Sequence, residues 1–238
     1  TDLQFYQTYY GRFGYNGLLL TAMQSTYFYI SAIFIAIKAK DKLFLVVSII
    51  SSLLVGTKIL LGFLVLIGFY LALVKIKNTK LRISVLIALL SVFIIIFFVF
   101  FNQKIFQDII INKGVLTAVF SHRNNLLIST WNNLSDINFN IISGGINLEN
   151  YRVEMGIIDV LMYFGVLGLI VFFVFFGFLK NSFVKSNLSL FYFVVVLVFL
   201  VVGGNFLYYP INCFIFLVTL KLLSIKEENR GFMNQSNI

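Results

Sequence analysis

The chain has 238 residues, of which 60% are hydrophobic, 18% aromatic and only 11% charged. A soluble domain carries about 25% charged residues, so an ordinary soluble globule is excluded, and the wealth of Phe and Tyr excludes a disordered tail. A single cysteine, Cys213, rules out a disulfide framework or a thiolate zinc centre, and a single histidine, His122, rules out a polyhistidine metal site. What remains is an all-α polytopic membrane protein, whose net charge of +9 reads as membrane orientation rather than nucleic-acid affinity.

The chain opens with Thr1, not Met, and its first residues are polar and aromatic without the apolar core of a signal peptide. The expectation is the carboxy-terminal portion of a longer protein. A membrane-crossing helix needs roughly 17–25 mostly apolar residues. Residues 17–37, 83–101, 156–179, 188–202 and 206–223 meet or approach that requirement. The stretch 43–74 is too long for one span and is interrupted by Gly56-Thr57-Lys58, so it reads as two short spans, 43–55 and 59–74, around a tight turn.

The total is about seven transmembrane helices, and the basic residues test it. The linkers Lys38–Lys42, Lys75–Arg82 and Lys180–Ser186, with the tail from Lys221, hold most of the 18 basic residues. They share one side only if 43–74 crosses twice. The positive-inside rule then places them, and the carboxy terminus, in the cytoplasm. The organisation is an outer amino-terminal segment with four spans (1–101), a large extracytoplasmic loop (102–155), and three spans with a cytoplasmic tail (156–238).

A loop of that length without a role is uncommon. Residues 105–120 carry Ile109, Ile110, Leu116, Val119 and Phe120 at near-helical spacing and suit a helix lying flat on the bilayer. Ser121 reads as the N-cap of a short helix from His122 to about Leu134, with Leu127 and Trp131 on one face. Gly144-Gly145 marks a turn before the chain re-enters the membrane.

Charges at membrane level are costly and therefore functional candidates. Arg12 precedes the first span, Lys58 sits in the outer turn, Arg123 starts the loop helix, and Arg152, Glu154 and Asp159 lie around the start of the fifth span. Cations gathered near two carboxylates at an outer surface suit a phosphate-bearing, partly lipidic substrate, since arginine grips phosphate oxygens bidentately and lysine acts as a point charge. The bland alternatives are headgroup contact for Arg12, snorkelling for Lys58, a solvated charge for Arg123 and a structural ion pair between Arg152 and Asp159. Glu154 and Asp159 are roughly 140° apart on a continuous helix, so they share a site only if the helix starts after Gly156.

The order of these motifs carries a resemblance. Gly11-Arg12-Phe13-Gly14-Tyr15-Asn16 ahead of a span is similar to the Gly-Arg…Gly…Asn lead-in of the O-antigen polymerase/ligase family, the Wzy-type polysaccharide polymerases. Gly56-Thr57-Lys58 resembles that family's short turn between neighbouring spans. Ser121-His122-Arg123, Trp131 and Gly144-Gly145 resemble its large-loop pattern, and Glu154…Asp159 followed by Gly165-Val166-Leu167-Gly168 resembles its loop exit. The stretch Asn147-Leu148-Glu149-Asn150-Tyr151 lacks the histidine typical of the ligase branch, which favours polymerase over ligase.

The resemblance implies a metal-independent glycosyltransferase of the bacterial plasma membrane, acting on undecaprenyl-diphosphate-linked repeat units of O-antigen, capsule or exopolysaccharide. It implies Glu154 as general base with Asp159 as second choice, and Arg123 stabilising the leaving diphosphate together with Arg12, Lys58 and Arg152. No cofactor is expected. The expected partners are the lipid-linked glycan, membrane lipids, a chain-length regulator and a flippase, with no nucleic acid. A ligase, or a transporter or flippase for a lipid-linked oligosaccharide, is the alternative reading.

Overall fold

The structure, a computed structural model, describes residues 21–102, 104–120, 122–134, 139–146, 153–203 and 206–225. Among these the chain is helical, in ten elements: α1 (Ala22–Ala39), α2 (Lys42–Val55), α3 (Lys58–Lys75), α4 (Thr79–Phe101), α5 (Lys104–Lys113), α6 (Val115–Phe120), α7 (Arg123–Asn132), α8 (Gly156–Phe183), α9 (Asn187–Gly203) and α10 (Pro210–Ser224). Each of the seven predicted spans has a helix in its place. Three of them, α3, α4 and α8, are long and apolar enough to cross a membrane on their own, whereas α2, α9 and α10 are shorter apolar helices.

The short linkers fold as their residue types dictate. Lys40 closes α1 in the left-handed conformation, and the Asp41 carboxylate accepts from Phe44 N at 2.9 Å to open α2. At the opposite end of α2, Gly56 supplies the left-handed turn and the Thr57 hydroxyl accepts from Leu60 N, starting α3 at Lys58. Gly56-Thr57-Lys58 is therefore a C-cap, an N-cap and a first helical residue, which is how three residues reverse the chain. The last span is displaced from its predicted start. Residues 206–208 form a turn, and α10 begins at Pro210, whose fixed φ and missing N–H suit a first helical position.

Helix α1 is the centre of the bundle. It packs on α2, α3, α9 and α10, and both its apolar residues (Tyr27, Ile30, Ile33, Phe34) and its small hydroxyl residues (Ser25, Thr26, Ser31) are buried. Lipid tails are as apolar as leucine, so a membrane bundle is held by packing and inter-helix hydrogen bonds rather than by hydrophobic burial. Both are present. The Ser31 and Tyr192 hydroxyls meet at 2.9 Å and those of Thr26 and Thr57 at 3.0 Å. The rings of Phe34, Tyr192 and Phe216 interlock, and Tyr70 stacks on Phe191 at 4.2 Å. By contrast, α4 packs on α3 at the margin and buries none of its own span.

The helices alternate in direction, and this sorts the charges by end. At one end the Lys38 ammonium donates to Ile225 O at 2.6 Å, and that of Lys221 lies over the Phe183 ring at 5.6 Å. The predicted basic linkers gather here. The other end carries the Gly56–Lys58 turn, α5 to α7 and the start of α8.

One predicted span differs in kind. The fifth is not an uninterrupted helix, because α8 breaks at Gly165 (φ 64, ψ −164). Residues 140–144 form a tight hairpin, bridged between Asn140 and Gly144, that fits into the break. Gly145 N and Ile146 N donate to Tyr163 O and Met162 O on one side of it, while Val166 N and Leu167 N donate to Ile141 O and Ile142 O on the other. A Cβ at Gly144 would overlap the Tyr163 carbonyl, and one at Gly165 the Ile142 carbonyl. Both glycines are required by this close approach. The Gly144-Gly145 turn expected from sequence is present, as a splice in a broken helix.

Candidate functional site

Three short helices build the site at the loop end. Gly114, at φ +85, separates α5 from α6. Lys58 then holds α6 down: its ammonium donates to Ala118 O and to Val119 O (3.3 Å) in the last turn of that helix. The same nitrogen lies 4.5 Å from the Phe106 ring centroid and 5.5 Å from that of Phe101. A cation is favoured at a helix C-terminus by the partial negative charge there, and over aromatic faces by their quadrupoles. Lys58 thus ties the α2–α3 turn to the segment leading into Arg123.

Helix α7 opens without a side-chain cap. His122 adopts the left-handed conformation at φ 68, and its N–H donates to Thr117 O at 3.1 Å. Asn124 Nδ2 donates to the Thr117 hydroxyl at 2.9 Å. The next residue after His122, Arg123, is turned inward and buried. Its Nε lies 3.7 Å from Glu154 Oε2, with the Arg123 side chain 10% exposed and that of Glu154 34% exposed. Burial pulls the Arg123 guanidinium below its usual range. Glu154 is the largest opposing influence, followed by Tyr27 and Asp159, and the group remains a cation at any working pH.

The carboxylates reach one cation because of where α8 begins. Its first residue is Gly156, so Glu154 lies ahead of the helix, at φ 60. The 140° separation expected along a continuous helix therefore does not arise. Asp159, 3% exposed, turns back from the first turn of α8 and its Oδ1 accepts from Val153 N at 3.1 Å. It fixes the backbone one residue before Glu154. Non-glycine residues at positive φ cost energy and gather where the surroundings over-determine the backbone. Among the described residues there are three: Lys40 at a helix C-cap, and His122 and Glu154 at this pair.

Of the sequence candidates, Arg123, Glu154 and Asp159 thus form one electrostatic cluster, and Lys58 anchors the adjacent helix. Arg12, Arg152 and Ser121 lie outside the described residues. Tyr27 was missed. It is buried in the polar stretch Gln24-Ser25-Thr26-Tyr27 of α1, its hydroxyl donates to Phe199 O at 3.4 Å, and its ring meets Phe206 edge-on at 4.9 Å. The signal for it was that run of polar residues at the loop end of an otherwise apolar span. Trp131 is 62% exposed and belongs to the surface of α7. Among the described residues no group of His, Cys, Asp and Glu side chains has the arrangement to hold a metal ion.

Among the described residues the cluster sets Arg123 against Glu154, with Asp159 also within its electrostatic reach. It can orient a partly exposed carboxylate, Glu154, at the end of a helical bundle, while Asp159 positions the backbone beside it. No protein-family model, curated protein or solved structure matches the chain.

Proposed function

We propose that this chain belongs to a membrane glycosyltransferase that polymerises undecaprenyl-diphosphate-linked oligosaccharide repeat units at the outer face of the bacterial plasma membrane. The observation that carries the reading is the inward-turned Arg123 holding Glu154 at the loop end, with strained backbone at His122 and at Glu154 itself. In this reading all seven apolar helices cross, and the lysine-rich end with the carboxy terminus is cytoplasmic.

Glu154 is the general base, being the member of the cluster open enough to meet a sugar hydroxyl. The acceptor oxygen attacks the anomeric carbon, its proton passes to Glu154, and the bond from that carbon to the diphosphate breaks with the electron pair leaving on the lipid diphosphate. Arg123 orients Glu154, and Asp159 positions it through Val153. Because Arg123 already faces two carboxylates, the leaving diphosphate calls for further cations, a role assigned to Arg12 and Arg152. Lys58 keeps the loop helices seated above the site. The chain-length regulator and flippase expected from the resemblance would meet the enzyme at this same face.

The break in α8 also suits a transporter, whose substrates bind at the freed ends of discontinuous helices. Here the hairpin backbone occupies those ends, which weighs against that use.

The test is glycan ladder analysis in cells deleted for the gene and complemented with wild type, Glu154→Gln or Arg123→Ala. Collapse to a single repeat unit with either variant, at normal membrane levels of protein, is the expected result. A full ladder with Glu154→Gln removes it as the base. A ladder complete but absent from its final acceptor indicates a ligase. Single repeats retained on the cytoplasmic face indicate a flippase.

A further inference from the structure

We infer that the hairpin of residues 140–144 is a re-entrant element, seated at hydrocarbon depth in the break of α8 with Ile141 and Ile142 facing lipid acyl chains. The inference rests on α8 crossing the bilayer and is independent of glycosyl transfer.

Depth comes first. Lys180 is the basic residue near the far end of α8, and Val166 precedes it by 14 positions, about 21 Å of helix at 1.5 Å per residue. The hydrocarbon core is roughly 30 Å thick. With Lys180 at one boundary, Val166 and Leu167 therefore lie about 9 Å short of the other, and the carbonyls bonded to them lie at the same depth. Tilt moves the whole element deeper, not shallower.

The second argument is backbone satisfaction. At that depth no water supplies hydrogen-bond partners, so non-helical backbone needs its polar groups bonded within the protein. Five consecutive N–H groups meet this condition. Ile142 N (2.8 Å) and Ser143 N (3.4 Å) donate to the Asn140 side-chain oxygen, Gly144 N to Asn140 O, Gly145 N to Tyr163 O and Ile146 N to Met162 O. In return the hairpin carbonyls of Ile141 and Ile142 take the two N–H groups that the helix break frees. A turn exposed to water has less need of such pairing, since water supplies the partners.

The third argument is the surface. Ile141 is 63% exposed and Ile142 59%, beside Phe164 and Leu167 of α8, which are comparably open. These two apolar side chains at the tip of the hairpin and two beside them on α8 suit acyl chains, and they continue the apolar exposed surface of the second half of α8.

The experiment uses the full chain in vesicles of phosphatidylethanolamine and phosphatidylglycerol. Trp131 is the only tryptophan, so Trp131→Phe gives a silent background for Ile142→Trp. Strong quenching by phospholipids brominated on the acyl chain, with none by aqueous iodide, is the expected result. Quenching by iodide and indifference to brominated lipid would overturn the inference. A smaller substitution guards against disturbance by the indole. In a Cys213→Ser background, Ile142→Cys should resist an impermeant maleimide in permeabilised vesicles that labels Asn125→Cys on exposed α7, and should react after denaturation. Labelling of Ile142→Cys as fast as Asn125→Cys would also overturn it.

Discussion

Replacing Gly165 by alanine tests the splice in α8 most directly. The residue sits at φ 64, ψ −164, a region that only glycine occupies readily, and other residues pay on the order of 1–3 kcal/mol there. The added methyl also overlaps the Ile142 carbonyl, so the hairpin must withdraw. Withdrawal breaks the bonds from Val166 N (2.9 Å) and Leu167 N (3.2 Å) to the hairpin carbonyls, each contributing about 0.5–1.5 kcal/mol net. The sum is a loss of about 2–6 kcal/mol, a large share of the roughly 5–15 kcal/mol typical of a folded domain. Gly177 lies in the same helix with nothing within 4 Å of a Cβ, and Gly177→Ala should be neutral or stabilising by up to about 1 kcal/mol. Thermal unfolding of the detergent-solubilised variants measures the difference, and amide exchange over residues 141–146 and 162–167 locates it. Equal stability of the two variants, with unchanged protection of the hairpin, would refute the splice.

Four further outcomes are expected. Gly144→Ala should reproduce the exchange pattern of Gly165→Ala, because its Cβ meets the Tyr163 carbonyl from the other side of the same contact; normal protection there would show that the two glycines act separately. Arg123→Gln should destabilise more than Glu154→Gln in thermal unfolding, since it removes a buried cation that interacts with both Glu154 and the buried Asp159, whereas Glu154 is partly solvated; the reverse ranking contradicts the cluster. Lys58→Met keeps the aliphatic stem but removes the bonds to Ala118 O and Val119 O, so amide exchange over Val115–Phe120 should rise without substrate present, while unchanged exchange would overturn that anchoring role. Asn212 is fully buried on α10 with both side-chain polar atoms unbonded, so Asn212→Leu should raise the unfolding temperature, by about 1–3 kcal/mol in stability; a fall would reveal a polar partner that the amide serves.

Much of the architecture was legible because it depends on local pattern. Apolar run length located the seven apolar helices, three of them long enough to cross a membrane, and Gly56-Thr57-Lys58 announced its turn, since a left-handed cap and a hydroxyl N-cap are properties of single residues and their immediate neighbours. The fifth span was misread as continuous because Gly165 in an apolar helix is locally unremarkable. Only the arrival of residues 140–144, some twenty positions earlier in the chain, turns it into a break.

The site divides in the same way. Arg123, Glu154 and Asp159 stood out as charges beside apolar segments, which sequence reveals directly. That one arginine interacts with both carboxylates was decided by two backbone angles, at His122 and Glu154, with Glu154 lying just ahead of the helix that begins at Gly156. Tyr27, which shares the electrostatics of Arg123, lies nearly a hundred positions away in the chain. The sequence by itself determined which groups are too costly to place near a membrane without a reason. Which of them meet depends on long-range packing, because the energy that holds a strained backbone comes from contacts between distant segments, and those leave no periodic trace in the residues themselves.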